Sequence, residues 1–151
     1  MHEGMAIYRA TDAALFLPYF LTFLAEAYGA ANQPEAGLRL LDEARTVMDS
    51  TQERVYEAEM QRVQGELVLA QGADQYAQAE TCFLHALDIA RRRQARSWEP
   101  RAAVSLSRLW QQQGKRAEAQ ALLAPIYGWF TEGFDTADLQ EARALLEALG
   151  G

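Results

Sequence analysis

Small and large residues recur along this chain with a period of 40 or 42 residues. A helix hairpin with such apolar stripes cannot bury them alone, and stacking similar hairpins side by side buries them. The recurrence therefore predicts a stack of helix hairpins. The aligned triplets are Ala25, Gly65 and Ser107; Tyr28, Val68 and Trp110; Gly37, Ala79 and Ala119; Leu41, Phe83 and Leu123; and Ala44, Ala86 and Ile126.

Residues 65–90 show how one hairpin is encoded. Gly65 has no side chain, so a second helix can lie close against it. Gly72 predicts the end of the first helix. In the second helix, expected from about Tyr76, an apolar stripe of Ala79, Phe83 and Ala86 is small, large and small. We expect this stripe to pack near Gly65.

The composition favours helix over strand. Half of the 151 residues are apolar, Ala, Leu, Glu, Gln and Arg are abundant, and Val and Ile are few. We predict one all-α domain, a solenoid of about three hairpins. Its parts are the remnant of a preceding repeat at residues 1–17, hairpins at 18–49, 52–94 and 97–130, and an amphipathic capping helix at 136–150.

Several residues predict where helices begin, bend and end. Asp49-Ser50-Thr51 breaks the pattern and supplies N-cap candidates for a helix from about Gln52. Pro18 and Pro100 suit first turns, where a missing N–H does little harm. Pro125 should bend its helix rather than end it. Residues 3–10 should form a short helix with Met5, Ile7 and Tyr8 as contacts.

At the aligned columns the chain resembles the tetratricopeptide repeat family. The shared pattern is a small residue, then a large or aromatic one, on the first helix, and alanine, a bulky residue and alanine on the second. The repeat here is 40 to 42 residues instead of about 34, and Gly37, Val68 and Ile126 depart from the pattern. The resemblance implies an α-α superhelix that binds proteins.

A narrower resemblance covers residues 23–44, 80–110 and 122–149. These strings are similar to the C-terminal helical region of large bacterial signalling proteins, which join a class III nucleotide cyclase-like domain, a P-loop ATPase domain and a helical tail. The third string is the most specific, because periodicity alone does not require Trp129-Phe130 followed by residues 132–136, EGFDT. The resemblance implies a regulatory or partner-binding tail.

The family's usual groove positions fall on the first helices. The resemblance implies that these residues line a concave surface for a protein or peptide partner. They are Tyr19, Thr22, Glu26, Glu59, Arg62, Glu66, Arg101, Arg108 and Gln112. Charges of both signs along that surface suit an extended peptide with polar anchors.

The overall charge argues against nucleic acid as a partner. The chain carries 21 acidic and 14 basic residues, a net charge of −7, and such a field repels phosphates. Its sharpest basic feature, Arg91-Arg92-Arg93 with Arg96 and Trp98, could hold a phosphate or stack on a base. The alternative, which we favour, is a basic helix C-terminus that complements the helix dipole.

We find no sequence pattern for catalysis, and we expect no enzyme activity, cofactor or metal. Gly114-Lys115 lacks the remaining residues of a P-loop, and His2 and His85 belong to no ligand cluster. The single cysteine, Cys82, fits a buried core residue in a reducing compartment. Trp129, Phe130 and Phe134 could form a ligand-binding stack, but a core under the capping helix is the favoured interpretation.

These observations favour a non-catalytic interaction scaffold, the partner-binding tail of a larger bacterial signalling ATPase or cyclase. No apolar run is long enough to span a membrane and no signal peptide is evident, so we expect a cytoplasmic protein. Two alternatives stay open. One is a self-association module, a homodimer formed through the N-terminal edge near Met5, Ile7 and Tyr8. The other is a small-molecule sensor.

Overall fold

A computed structural model describes residues 17–51, 54, 56–94, 98–130 and 137–150. Within these residues the secondary structure is helical, with no β-strand, which confirms the all-α prediction for this part of the chain. A short 3-10 helix, Ala73–Gln75, precedes the fourth of the seven α-helices. These are α1 (Leu17–Ala30), α2 (Pro34–Thr51), α3 (Glu57–Ala70), α4 (Tyr76–Arg92), α5 (Glu99–Gln112), α6 (Arg116–Phe130) and α7 (Ala137–Gly150).

The helices pack as three hairpins followed by a single helix. The pairs α1–α2, α3–α4 and α5–α6 form the hairpins. Each second helix also packs on the next first helix, and α1, α3, α5 and α7 contact one another in that order. At two of the turns, Asn32 and Gly114 adopt φ values of 64° and 81°, the left-handed conformation expected of residues that end helices.

The small and large columns pack together as the period predicts. Phe83 of α4 is fully buried, and a Cβ atom added at Gly65 would lie 2.5 Å from its Cε1 atom. Gly37 is equally close to a neighbour, since its Cβ would lie 2.8 Å from the carbonyl oxygen of Ala25. In the third hairpin, the Ser107 hydroxyl donates to the carbonyl oxygen of Ala119 at 3.3 Å. The small residues therefore let the two helices of each hairpin approach closely.

The prediction of N-caps at Ser50 and Thr51 is wrong. Helix α2 continues through Thr51, and both hydroxyls donate backwards to the carbonyl oxygen of Val47. Helix α3 then begins at Glu57 instead of Gln52, with Tyr56 at its N-cap. Backward hydrogen bonds of this kind satisfy the hydroxyl inside a helix and remove the reason to end it.

Three other local predictions have clear outcomes. Pro18 and Pro100 lie in first turns as expected, and α6 continues through Pro125. Tyr28 was expected on the apolar face of α1 but is 36% exposed, because the hairpin buries Leu21 and Ala25 more deeply. The predictions for residues 3–10, for the cap candidate Ser97 and for the loop at 133–136 lie outside the described residues.

The described helices contain no segment with both the length and the apolar character needed to cross a lipid bilayer.

Candidate functional site

Most of the predicted groove residues lie together on the first helices. Two adjoining cavities share Glu26 and Arg101 and are lined by eight of the nine predicted residues. Gln112 lines neither cavity and is exposed at the end of α5. The eight residues are Tyr19, Thr22 and Glu26 of α1, Glu59, Arg62 and Glu66 of α3, and Arg101 and Arg108 of α5.

One of these, the aromatic cavity, has a volume of about 300 Å³ and is lined by Tyr19, Phe23 and Trp98 beside Glu26 and Glu59. The ring of Tyr19 lies 4.8 Å from that of Tyr56 and 6.4 Å from that of Trp98, centroid to centroid. Such tilted contacts stabilise aromatic clusters. Tyr19 and Phe23 remain 42% and 63% exposed, so the cavity offers apolar surface to a ligand.

A buried ion network fixes the floor between the cavities. Arg62 donates to both carboxylate oxygens of Glu59, at 2.8 and 2.9 Å, and to Glu26 at 2.7 Å. Arg101 donates to Glu59 at 3.0 Å and lies 3.8 Å from Glu26. The four charges cancel, and they come from α1, α3 and α5. The network thus joins the first helices of all three hairpins.

The network holds Arg62 in its charged form. Burial alone would lower the pKa of Arg62, but the hydrogen bonds and charges of Glu59 and Glu26 outweigh it, so the pKa lies above its usual value. Arg62 also donates to the Ser105 hydroxyl at 3.4 Å. Thr22, another predicted lining residue, is buried, and its hydroxyl donates to the carbonyl oxygen of Pro18 at 2.7 Å. These groups shape the site and leave little for a ligand to bind.

The second, ionic cavity has a volume of about 150 Å³ and opens past the network toward Glu66, Arg108 and Glu141. Arg108 forms an ion pair with Glu141 of α7. Glu66 is half-buried and has no ion pair with any residue that the structure describes. Its carboxylate is therefore free to accept hydrogen bonds from a ligand.

A third, side cavity of about 290 Å³ adjoins the ionic cavity through Glu26 and Glu66. Its walls are small or aliphatic, because Gly29 and Ala30 of α1 face Leu67 and Ala70 of α3. The arrangement is an apolar trough with two carboxylates along it. A lysine or arginine side chain matches this chemistry, with its methylene groups against the trough and its cation near the carboxylates.

The aromatic cluster was not foreseen from the sequence, although a signal was present. Tyr56 and Trp98 are 42 residues apart, which is one repeat, and each is the N-cap residue of a first helix. The ion network had a signal too, because Glu59 and Arg62 are three residues apart on one helical face. The position of Glu141 could not be read from the repeat, since α7 begins a different register.

The basic cluster at the end of α4 is paired with carboxylates. Arg91 lies 3.0 Å from Glu99, Arg92 lies 2.8 Å from Asp88, and Arg93 lies 3.7 Å from Glu57. These pairs agree with the favoured structural interpretation of the cluster. Arg96 lies outside the described residues.

Cys82 is buried in α4, as expected. Burial raises the pKa of its thiol, and the positive charge of Arg45 offsets this only in part. Among the described residues there is no group of three or more His, Cys, Asp or Glu side chains that could bind a metal ion. The side chains of Trp129 and Phe130, and all of Phe134, lie outside the described part of the chain.

No protein-family model, curated protein or solved structure matches this chain.

Proposed function

We propose that this chain is a non-catalytic interaction domain, a right-handed superhelix of the tetratricopeptide type that binds an extended segment of a partner protein. The observation that carries the proposal is the row of three adjoining cavities along α1, α3 and α5. A segment bound there would cross the first helices of all three hairpins. Extended peptides bind in this way when separate pockets accept successive side chains.

The lining favours a partner segment with one apolar and one basic side chain. The apolar side chain fits the aromatic cavity at Tyr19 and Phe23, where exposed rings can be covered. The basic side chain fits the side cavity, with its cation near Glu66. The net charge of −7 adds long-range attraction for a basic partner.

The ion network supports this proposal through rigidity. Because Arg62 and Arg101 are already paired with Glu59 and Glu26, they need not reorganise when a ligand arrives. A site that is ordered before binding loses less entropy on binding. We extend the proposal to the cellular setting that the sequence resemblance implies, a regulatory tail of a bacterial cytoplasmic signalling protein.

Selection from a displayed library of random 12-residue peptides, followed by fluorescence polarisation with the best peptide, tests the proposal. We expect enrichment of sequences that combine an aromatic or aliphatic residue with Lys or Arg. Tyr19→Ala and Glu66→Lys should each weaken binding about tenfold, which corresponds to about 1.4 kcal/mol. The matched control is Glu118→Lys, an exposed charge reversal on α6 away from the cavities.

Two results would contradict the proposed function. One is a selection with no enrichment over an unrelated helical protein. The other is a peptide whose affinity is the same for the Tyr19→Ala, Glu66→Lys and Glu118→Lys variants, because that peptide would bind elsewhere.

A further inference from the structure

One face of α1 is apolar and exposed, and it differs from the face that lines the cavities. Phe20, Phe23 and Ala27 follow one another at spacings of three and four, which places them on one side of the helix. Phe20 is 52% exposed and Ala27 is also exposed. Glu26 is the only charged residue in α1. The helix thus presents an unusually apolar surface.

The equivalent positions one and two repeats later are buried. Forty residues after Phe20, Phe23 and Ala27 come Met60, Val63 and Leu67, which are at most 1% exposed. A further 42 residues on, the same positions of α5 are again buried; they are Ala102, Ser105 and Leu109. The exposed face of α1 therefore has the register of a packed face.

The preceding hairpin, including its second helix, buries this face in α3. Met60 belongs to one cluster with Ala44 and Met48 of α2, and Val63 and Leu67 belong to another with Leu41. The stripe on α2 that does this is large, small and large. The seat on α1 thus fits another second helix with a stripe of the same kind.

The chain itself carries such a stripe at the required distance. Leu41, Ala44 and Met48 lie 24, 21 and 17 residues before Gly65, and Phe83, Ala86 and Ala90 lie at the same distances before Ser107. Counted back from Ala25, these distances give Met1, Gly4 and Tyr8, again large, small and large. The residues between 10 and α1 number six, 11–16, as do the residues between α4 and α5, 93–98.

We infer that residues 1–10, which lie outside the described residues, form a second helix that docks on the Phe20–Ala27 face of α1. Gly4 takes the place that Ala44 and Ala86 hold in the later hairpins, where the neighbouring helix is closest. The docked helix covers the apolar surface next to the proposed groove without closing it. This inference concerns a different surface from the proposed peptide site and does not depend on it.

Hydrogen exchange measured by mass spectrometry on the full chain tests the inference. We expect the amides of residues 5–10 to exchange at least ten times more slowly than in a synthetic peptide of residues 1–16. Phe20→Asp should abolish this protection, because the carboxylate would be buried without a partner. Leu84→Asp, the same kind of change at an exposed position of α4, should leave it intact.

A second variant tests the same contact from the other side. Gly4→Trp leaves the described helices unaltered and should abolish the protection of residues 5–10. Exchange of these amides at the free-peptide rate in the wild-type chain would overturn the inference. A light-scattering mass of two chains that Phe20→Asp reduces to one, with residues 5–10 unprotected throughout, would also overturn it by assigning the face to a second copy.

Discussion

The backbone of Gly65 in α3 lies directly against the ring of Phe83 in α4. A Cβ atom at Gly65 would be 2.5 Å from Cε1 and 2.8 Å from Cδ1 of that ring, and 3.1 Å from the Cβ of Cys82. Because Phe83 is fully buried, its ring has little space into which it could move. The two residues together set how closely the central hairpin can pack.

We therefore expect Gly65→Ala to destabilise the protein. The added methyl overpacks the contact by about 1 to 3 kcal/mol, which exceeds the gain in helix propensity of about 1 kcal/mol. Urea unfolding measures the difference. Gly128→Ala is the matched control, since a Cβ there meets nothing within 4 Å, and it should stabilise the protein slightly. A stabilised Gly65→Ala variant would show that the hairpin has room to spare.

Arg62→Met should destabilise the protein more than any change at an exposed ion pair. Glu59, buried beside it, would keep only Arg101 as a partner, and breaking a buried pair from one side costs about 3 kcal/mol or more. Arg92→Met removes a pair whose two side chains are more than half exposed, and it should cost less than about 1 kcal/mol. Equal losses in chemical denaturation would show that the network adds nothing beyond a surface pair.

The Cys82 thiol should make stability depend on pH in the alkaline range. Its pKa is raised in the folded protein, so the folded state holds this proton more tightly than the unfolded state does. Stability from this group is complete below the unfolded-state pKa, about 8.5, and decreases as the pH rises above that value. Cys82→Ala should lose less stability between pH 8 and pH 10, as measured by thermal unfolding. Parallel curves for the two proteins would rule the effect out.

Pro125→Ala should stabilise the protein. Proline inside α6 cannot donate a hydrogen bond to the preceding turn, and the side chain is exposed, so its loss removes little packing. We expect a gain of about 1 to 2 kcal/mol, less than the full helix penalty of proline because the unfolded chain becomes more flexible. Circular dichroism during urea unfolding measures it, and an unchanged midpoint would mean that the bend is already relaxed.

The sequence predicted those parts of the fold that depend on residue size. Gly65, Ala79 and Phe83 meet because a small residue permits what a large one fills, and that relation is visible in the spacing alone. It did not predict where α2 ends, because Ser50 can cap a following helix or bond backwards within its own helix. Only the geometry of Val47 and the residues after it decides between the two.

The site was predicted in position but not in character. The groove positions implied by the resemblance placed Glu59 and Arg62 in the lining, and both line the cavities. Their burial and their pairing with Glu26 and Arg101 depend on how α1, α3 and α5 approach one another. A periodic pattern fixes which residues share a face, but it does not give the distance between neighbouring faces.

The network of Glu26, Glu59, Arg62 and Arg101 has a consequence for how the molecule unfolds. In a stack whose units touch only their neighbours, each unit can melt separately when its interfaces are weak. Here the loss of any one of three hairpins would strand at least one charge of the others in a poorly solvated place. The hairpins consequently stand or fall as a cooperative whole, so denaturation should pass through one transition without a populated intermediate.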